Sequence, residues 1–154
     1  EITDCDWSSD VCSSDLLLEA VPSNKKITFT YNFCEPEELL VYADKQKILQ
    51  VLRNLCDNAI KFSHEESEIC LHTFTKGEKV FISIKDSGIG IPREDLNLIW
   101  DRFYKTDLSR GKDKLGSGLG LAICREIINA HKQTIDVVSA VGVGSEFVFT
   151  LPKA

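Results

Sequence analysis

The sequence predicts an α+β sandwich in which short amphipathic strands form a sheet backed by helices. Three observations predict it. Helical and strand periodicities mix along the chain without the regular β-α-β alternation of a doubly wound sheet. Two pairs of alternating runs flank glycine-containing turns, which reads as two hairpins. One long helical pattern, Asp44 to Phe62, carries a continuous apolar face.

Composition bounds the rest. The 154 residues suffice for one domain with a core. A net charge of −6 argues against a general nucleic-acid or anionic-membrane binder, since such surfaces are basic. No apolar run approaches the ~20 residues that span a bilayer, and no signal-peptide pattern is visible, so no membrane contact by this chain is expected. The six cysteines form no C-x-x-C pair. Cys56, Cys70 and Cys124 sit in apolar patterns and read as small core hydrophobes in a reducing compartment, without disulfides or zinc.

In chain order, Glu1 to Leu16 shows no apolar period and echoes Ser8-Ser9-Asp10 in Ser13-Ser14-Asp15. The run Asp6 to Leu16 resembles a translated sequencing-adapter artefact found in assembled metagenomic genes; otherwise it is a polar linker. Residues 1–16 are therefore expected to be unstructured or artefactual, and the domain to occupy 17–154. Ile27 to Phe33 and Leu39 to Ala43 read as strands, and Asp44 as the N-cap of the long helix. Ile69 to Phe74 and Val80 to Lys85 form one hairpin across Lys76-Gly77-Glu78. Pro92 precedes a helix start, with a helix expected over Asp95 to Phe103. Leu108 to Ser117 is polar and aperiodic, a mobile loop. Leu119 to Ala130 is a helix, and Thr134 to Ser139 with Glu146 to Leu151 closes the chain as a hairpin across Gly142-Val143-Gly144.

Three stretches carry chemistry. In Asp86-Ser87-Gly88-Ile89-Gly90-Ile91-Pro92, a strand ends on a carboxylate and opens into a turn. Gly88 and Gly90 permit φ > 0 and close approach of a flat ligand. An ionised Asp only accepts hydrogen bonds, so it suits a base edge bearing an amino group. On the long helix, Asn54, Asn58 and Lys61 share one stripe opposite Ile48, Leu52, Leu55, Ala59 and Phe62. That stripe is either a solvated face or a wall of amides and one cation suited to Mg²⁺ and phosphate. In Gly116-Ser117-Gly118-Leu119-Gly120-Leu121, alternate glycines free backbone N–H groups for an anion, and the helix they open adds its dipole. No Lys-Ser/Thr follows, which excludes a Walker A loop.

Taken in order, Asn54-x-x-x-Asn58-Ala59-x-Lys61, Asp86-x-Gly88-x-Gly90, Arg102-Phe103-Tyr104-Lys105, Gly116-x-Gly118-x-Gly120 and Gly142-x-Gly144 resemble the ATP-binding catalytic domain of two-component sensor histidine kinases. The resemblance covers roughly Leu17 to Pro152. It implies the Bergerat fold, a mixed, mainly antiparallel sheet covered on one face by about three helices. It implies ATP and Mg²⁺ as cofactors, with Asn58 on the metal and Asn54 and Lys61 facing the phosphates. Asp86 would take the adenine amino group, Gly88 and Gly90 would shape that pocket, and Tyr104 would pack near the base. Arg102 and Lys105 would serve the nucleotide, Lys105 as a point charge where arginine is usual. Gly116, Ser117, Gly118, Leu119 and Gly120 would close over the triphosphate. The catalytic set is Asn54, Lys61 and Lys105.

The resemblance further implies γ-phosphoryl transfer to a histidine on a phosphoacceptor hairpin domain of the same kinase. A response regulator receiver domain follows as partner, in a homodimeric full-length protein on the cytoplasmic side in bacteria, where a membrane anchor is compatible. Departures are Trp100 for phenylalanine, and His131-Lys132-Gln133 where His-Gly-Gly is common. His64, His72 and His131 lack an acceptor context and read as surface or structural residues. Two alternatives stand beside this reading: an ATP-hydrolysing relative of the same fold, and a non-catalytic nucleotide-sensing or docking module. Hydrolytic relatives carry a glutamate base four residues before the metal asparagine; Asn54 stands there and cannot take a proton from water.

Overall fold

The computed structural model describes residues 2–7, 26–32, 39–105 and 119–154. The elements are β1 (Thr3–Asp6), β2 (Thr28–Asn32), β3 (Leu40–Ala43), α1 (Lys45–Phe62), β4 (Glu68–Lys76), β5 (Lys79–Asp86), a three-ten turn (Arg93–Asp95), α2 (Gly120–Ala130), β6 (Ile135–Ala140) and β7 (Gly144–Pro152). Five strands form the main sheet in the order β2-β4-β5-β7-β6, with β2 and β4 parallel and the other neighbours antiparallel. It is the mixed, mainly antiparallel sheet expected. Two α-helices, rather than about three, lie among the described residues.

Alternation decides which face of the sheet is buried. Ile69 and Leu71 of β4, Val80, Ile82 and Ile84 of β5, and Phe147, Phe149 and Leu151 of β7 point into one core. Opposite them α1 buries Ile48, Val51, Leu52, Leu55, Cys56, Ala59 and Ile60. Each Val, Leu, Ile or Phe side chain among them contributes about 1.5–3 kcal/mol on burial. Asp44 caps α1 as expected, its carboxylate accepting the Lys47 N–H at 3.2 Å. Among the described cysteines, Cys5, Cys56 and Cys124 are buried; Cys70 is only half-buried, because it lies on the other face of β4 from Ile69 and Leu71.

Two expectations need correction. Residues 2–7, expected to lack a fold, contribute β1, which pairs antiparallel with β3 and buries Cys5 and Trp7. Two inward residues are too short a period to read from sequence, and the open edge of β3 supplies the partner. The buried Trp7 indole N–H has no hydrogen-bond partner among the described residues. Residues 8–16 lie outside the described residues. The helix expected over Asp95 to Phe103 is instead a succession of turns: Leu96 N–H bonds Arg93, Leu98 bonds Asp95, Asp101 bonds Leu98 and Tyr104 bonds Asp101, each three residues back, with a single four-residue bond from Ile99 to Asp95 among them. Asn97 and Trp100 are weak helix formers, and Phe103 takes a φ of 65°, which no helix continues through.

α2 packs on α1 and buries Cys124, Ile127 and Ile128 in the core. Its end is tied to the start of α1 by His131. Nδ1 donates to the Ile127 carbonyl at 2.8 Å and Nε2 accepts the Asp44 N–H at 3.0 Å, so the partners assign the proton to Nδ1. His131 is thus structural, as expected, while His64 is exposed. Trp100 packs edge-on against Phe147 at 5.9 Å, with the Arg125 guanidinium 5.5 Å over its ring. The turn after α2 survives without glycine: Lys132 occupies the left-handed region at φ 58°. That conformation costs a non-glycine residue roughly 1–2 kcal/mol, against about 0.5–1 kcal/mol of extra chain entropy for glycine. Lys132→Gly should therefore raise stability by about 0.5–1 kcal/mol in urea unfolding.

Candidate nucleotide site

β5 ends on Asp86, and the strand register carries it onto the core-facing side in line with Ile82 and Ile84. It is 7% exposed. Burial pushes its carboxyl above the usual carboxylate range, and the N–H groups of Gly88 and Ser145 pull it partly back. The Gly88 bond measures 2.9 Å.

The two glycines of the turn meet different constraints. A Cβ on Gly88 would stand 2.2 Å from the Phe62 carbonyl oxygen, and one on Gly90 2.0 Å from that of Ala140. Gly90 has φ 76°, as expected of a turn glycine, whereas Gly88 has no positive φ. The close approach at both is therefore to the protein's own backbone. Ile89 N–H donates to the Phe62 carbonyl at 3.2 Å and Gly142 N–H to the Ile89 carbonyl at 2.9 Å. The turn is thus wedged between the end of α1 and the β6–β7 turn.

The Phe62 contact joins the Asp86 turn to the helix bearing the polar stripe. Asn54 and Asn58 are half-buried there and Lys61 is exposed. The Asn54 amide donates to the Gly120 carbonyl at 3.4 Å, so the start of α2 lies beside the stripe. Asn54 also reaches the Cys124 thiol, whose pKa burial pushes up to about 12, leaving it inert. Tyr104 donates to the Asp95 carboxylate, and Arg102 pairs with Glu126 of α2. The latter pair is exposed on both sides and holds Arg102 only weakly. Lys105 is half-buried and Leu119 stands at the N-cap of α2. Gly116, Ser117 and Gly118, with the expected mobile loop, lie outside the described residues.

Two residues beside the site escaped sequence reasoning. Ser145 pairs directly with Asp86 across β5 and β7, and Ser139 pairs with Ser145 across β6 and β7. The signal was available in alternation: Ser139 follows Ile135 and Val137 at the core-facing period of β6.

A buried acceptor beside a glycine turn, reached from a helix stripe of two amides and a lysine, is the arrangement of a nucleotide-binding ATPase fold. The chain belongs to the family of histidine kinase-, DNA gyrase B- and HSP90-like ATPases, whose sequence model matches residues 43–154. Within it, the similarity is to sensor histidine kinases. The chain is 38% identical over 117 residues to sensor histidine kinase YclK of Bacillus subtilis (strain 168), covering 75% of this chain and 24% of that one. It is 40% identical over 127 residues to sensor protein SrrB of Staphylococcus aureus (strain MRSA252), covering 82% and 21%. The chain thus spans about a fifth to a quarter of the curated relatives it matches. Among solved structures, the catalytic domain of histidine kinase ThkA superposes with a TM-score of 0.78 at 31% identity, over 99% of this chain and 96% of that one. The mycobacterial sensor histidine kinase MprB superposes at 0.81 over 99% and 98%; at 24% identity it speaks for the fold alone.

The wedged turn makes a contrast testable. Gly88→Ala forces its methyl into the Phe62 carbonyl and should cost at least about 1–3 kcal/mol in urea unfolding. Gly77→Ala, at φ 62° with no described atom within 4 Å, should cost only about 1 kcal/mol for its left-handed backbone. Equal costs would mean that the wedge is loose.

Proposed function

We propose that residues 17–154 act as the catalytic domain of a sensor histidine kinase, binding Mg-ATP and passing the γ-phosphoryl group to a histidine on a separate phosphoacceptor hairpin domain of the same kinase. The observation that supports this reading is the seating of the Asp86 turn on the end of α1, the helix that carries Asn54, Asn58 and Lys61. Asp86 accepts the adenine amino group, and Gly88 and Gly90 give the turn its shape. Tyr104 borders the base. Lys61, Lys105 and Arg102 offset phosphate charge, and the N–H groups of Leu119 and Gly120 at the start of α2 serve the triphosphate.

Mg²⁺ fits the residues present. Asn58 offers one half-buried amide oxygen, and Mg²⁺ is usually held by few protein ligands together with substrate phosphates and water. The bound ion supplies charge neutralisation across the phosphates. The domain's own work is to orient the triphosphate toward the incoming imidazole, which is already a nucleophile when neutral. Asn54 favours transfer to a protein acceptor over hydrolysis. Its amide donates to Gly120 and provides no base for water.

No helix among the described residues is long and apolar enough to cross a membrane. Placement on the cytoplasmic side in bacteria, a homodimeric full-length kinase and a response regulator receiver domain as downstream partner complete the proposal.

Asp86→Asn removes a charge-assisted bond and should weaken ATP binding by about 1.5–3 kcal/mol. Unfolding stability should not fall, because the amide has no charge to desolvate. Unchanged affinity would reduce Asp86 to a turn residue. The pH dependence has a definite sign. The adenine donor needs the ionised carboxylate, whose pKa is raised above the ordinary 3.8. ATP affinity should therefore drop, as pH falls, at a higher pH than an exposed aspartate would give, and Asp86→Asn should abolish that dependence. Asn58→Ala should remove the Mg²⁺ dependence of ATP binding in calorimetric titration; binding that stays equally Mg²⁺-dependent would exclude Asn58 as ligand.

A further inference from the structure

The core-facing side of the sheet is apolar along β5, β6 and β7 except for one row across its end, where Ser139, Ser145 and Asp86 stand opposite one another. Asp86 and Ser145 are 7% and 8% exposed, and Ser139 is half-buried. Ser139 is the hub. Its Oγ accepts the Ile91 N–H at 2.8 Å, lies 2.9 Å from the Gly144 carbonyl and 2.7 Å from the Ser145 Oγ. A hydroxyl has one proton and two lone pairs. If the Ser139 proton goes to Gly144, Ser145 must turn its own proton toward Ser139. If it goes to Ser145 Oγ, the Ser145 proton turns away from Ser139, on the residue that pairs with Asp86 in the register.

The same hydroxyl thus clamps the far end of the Asp86 turn, through Ile91, and sets the direction of the Ser145 hydroxyl. We propose that Ser139 is a positioning residue for base recognition, holding Asp86 and the Ser145 hydroxyl where they select a purine with a 6-amino group. The proposal rests on the reading of Asp86 as the base acceptor. Ser139 itself need not touch the nucleotide. A merely structural serine would change stability and weaken all nucleotides alike, whereas a positioning serine changes the choice between bases.

The test is titration of the full 154-residue chain with ATP and with inosine triphosphate, whose base carries a 6-oxo group. Wild type should prefer ATP. Ser139→Ala should lower ATP affinity about tenfold, the size of one lost hydrogen bond, and change inosine triphosphate binding little. Ser139→Thr, which keeps the hydroxyl on a strand, should retain the preference. Ser139→Cys preserves volume but accepts hydrogen bonds poorly, so it should behave as Ser139→Ala and serves if the alanine variant unfolds. Combined with Asp86→Asn, Ser139→Ala should add little. Equal weakening of both nucleotides, or full additivity with Asp86→Asn, overturns the role of Ser139. If Asp86→Asn itself leaves the preference intact, the reading of Asp86 fails and this proposal falls with it. If Asp86→Asn abolishes the preference but Ser139→Ala preserves it, only Ser139 is wrong.

Discussion

The contact on which the site depends is the one between the last turn of α1 and the turn after β5. The Ile89 N–H reaches the Phe62 carbonyl at 3.2 Å, and Gly88 passes so close to that oxygen that no side chain fits between them. Helix C-termini leave carbonyls without intrahelical partners, and this one is used to seat a loop. Because α1 is capped by Asp44, buried along one face and tied at its start to His131, it is a rigid rail. Whatever is fixed to its end is fixed relative to Asn54, Asn58 and Lys61.

The second constraint is electrostatic. Asp86 occupies a position where the strand pattern calls for an apolar residue, and burial raises the cost of its ionised form. Bonds from Gly88 and Ser145 offset only part of that cost, so an acceptor remains that is dry and aimed. A buried acceptor is stronger toward a donor than one in water, because water no longer competes. The core thus accepts a local destabilisation at one end of β5, the kind of local inconsistency that the proposed base recognition accounts for.

Much of this was legible from sequence wherever the cause lay within one segment. The cap, length and apolar face of α1 follow from Asp44 and a single helical period, and both hairpins follow from alternation and turn residues. What was not legible depended on segments far apart in sequence. Gly88 looked like a glycine making room for a ligand, because nothing in its neighbourhood names Phe62 as the atom it must clear. Ser139 and Ser145 looked like ordinary strand serines until the register set them in a row with Asp86. The stretch from Asp95 to Phe103 has helical spacing but weak helix formers, and three-residue turns prevailed. The strand at Thr3–Asp6 exists because β3 offers it an edge.

The proposed role of this chain is to donate phosphoryl groups to a protein histidine, and one measurement bears on that most directly. The chain is incubated with Mg²⁺ and γ-labelled ATP, with and without a dimeric phosphoacceptor hairpin of a sensor histidine kinase. The account predicts acid-labile label on the hairpin histidine, none on His64, His72 or His131 of this chain, and phosphate release near background when the hairpin is omitted. Sustained phosphate release without the hairpin, at rates comparable with dedicated ATPases, would contradict it.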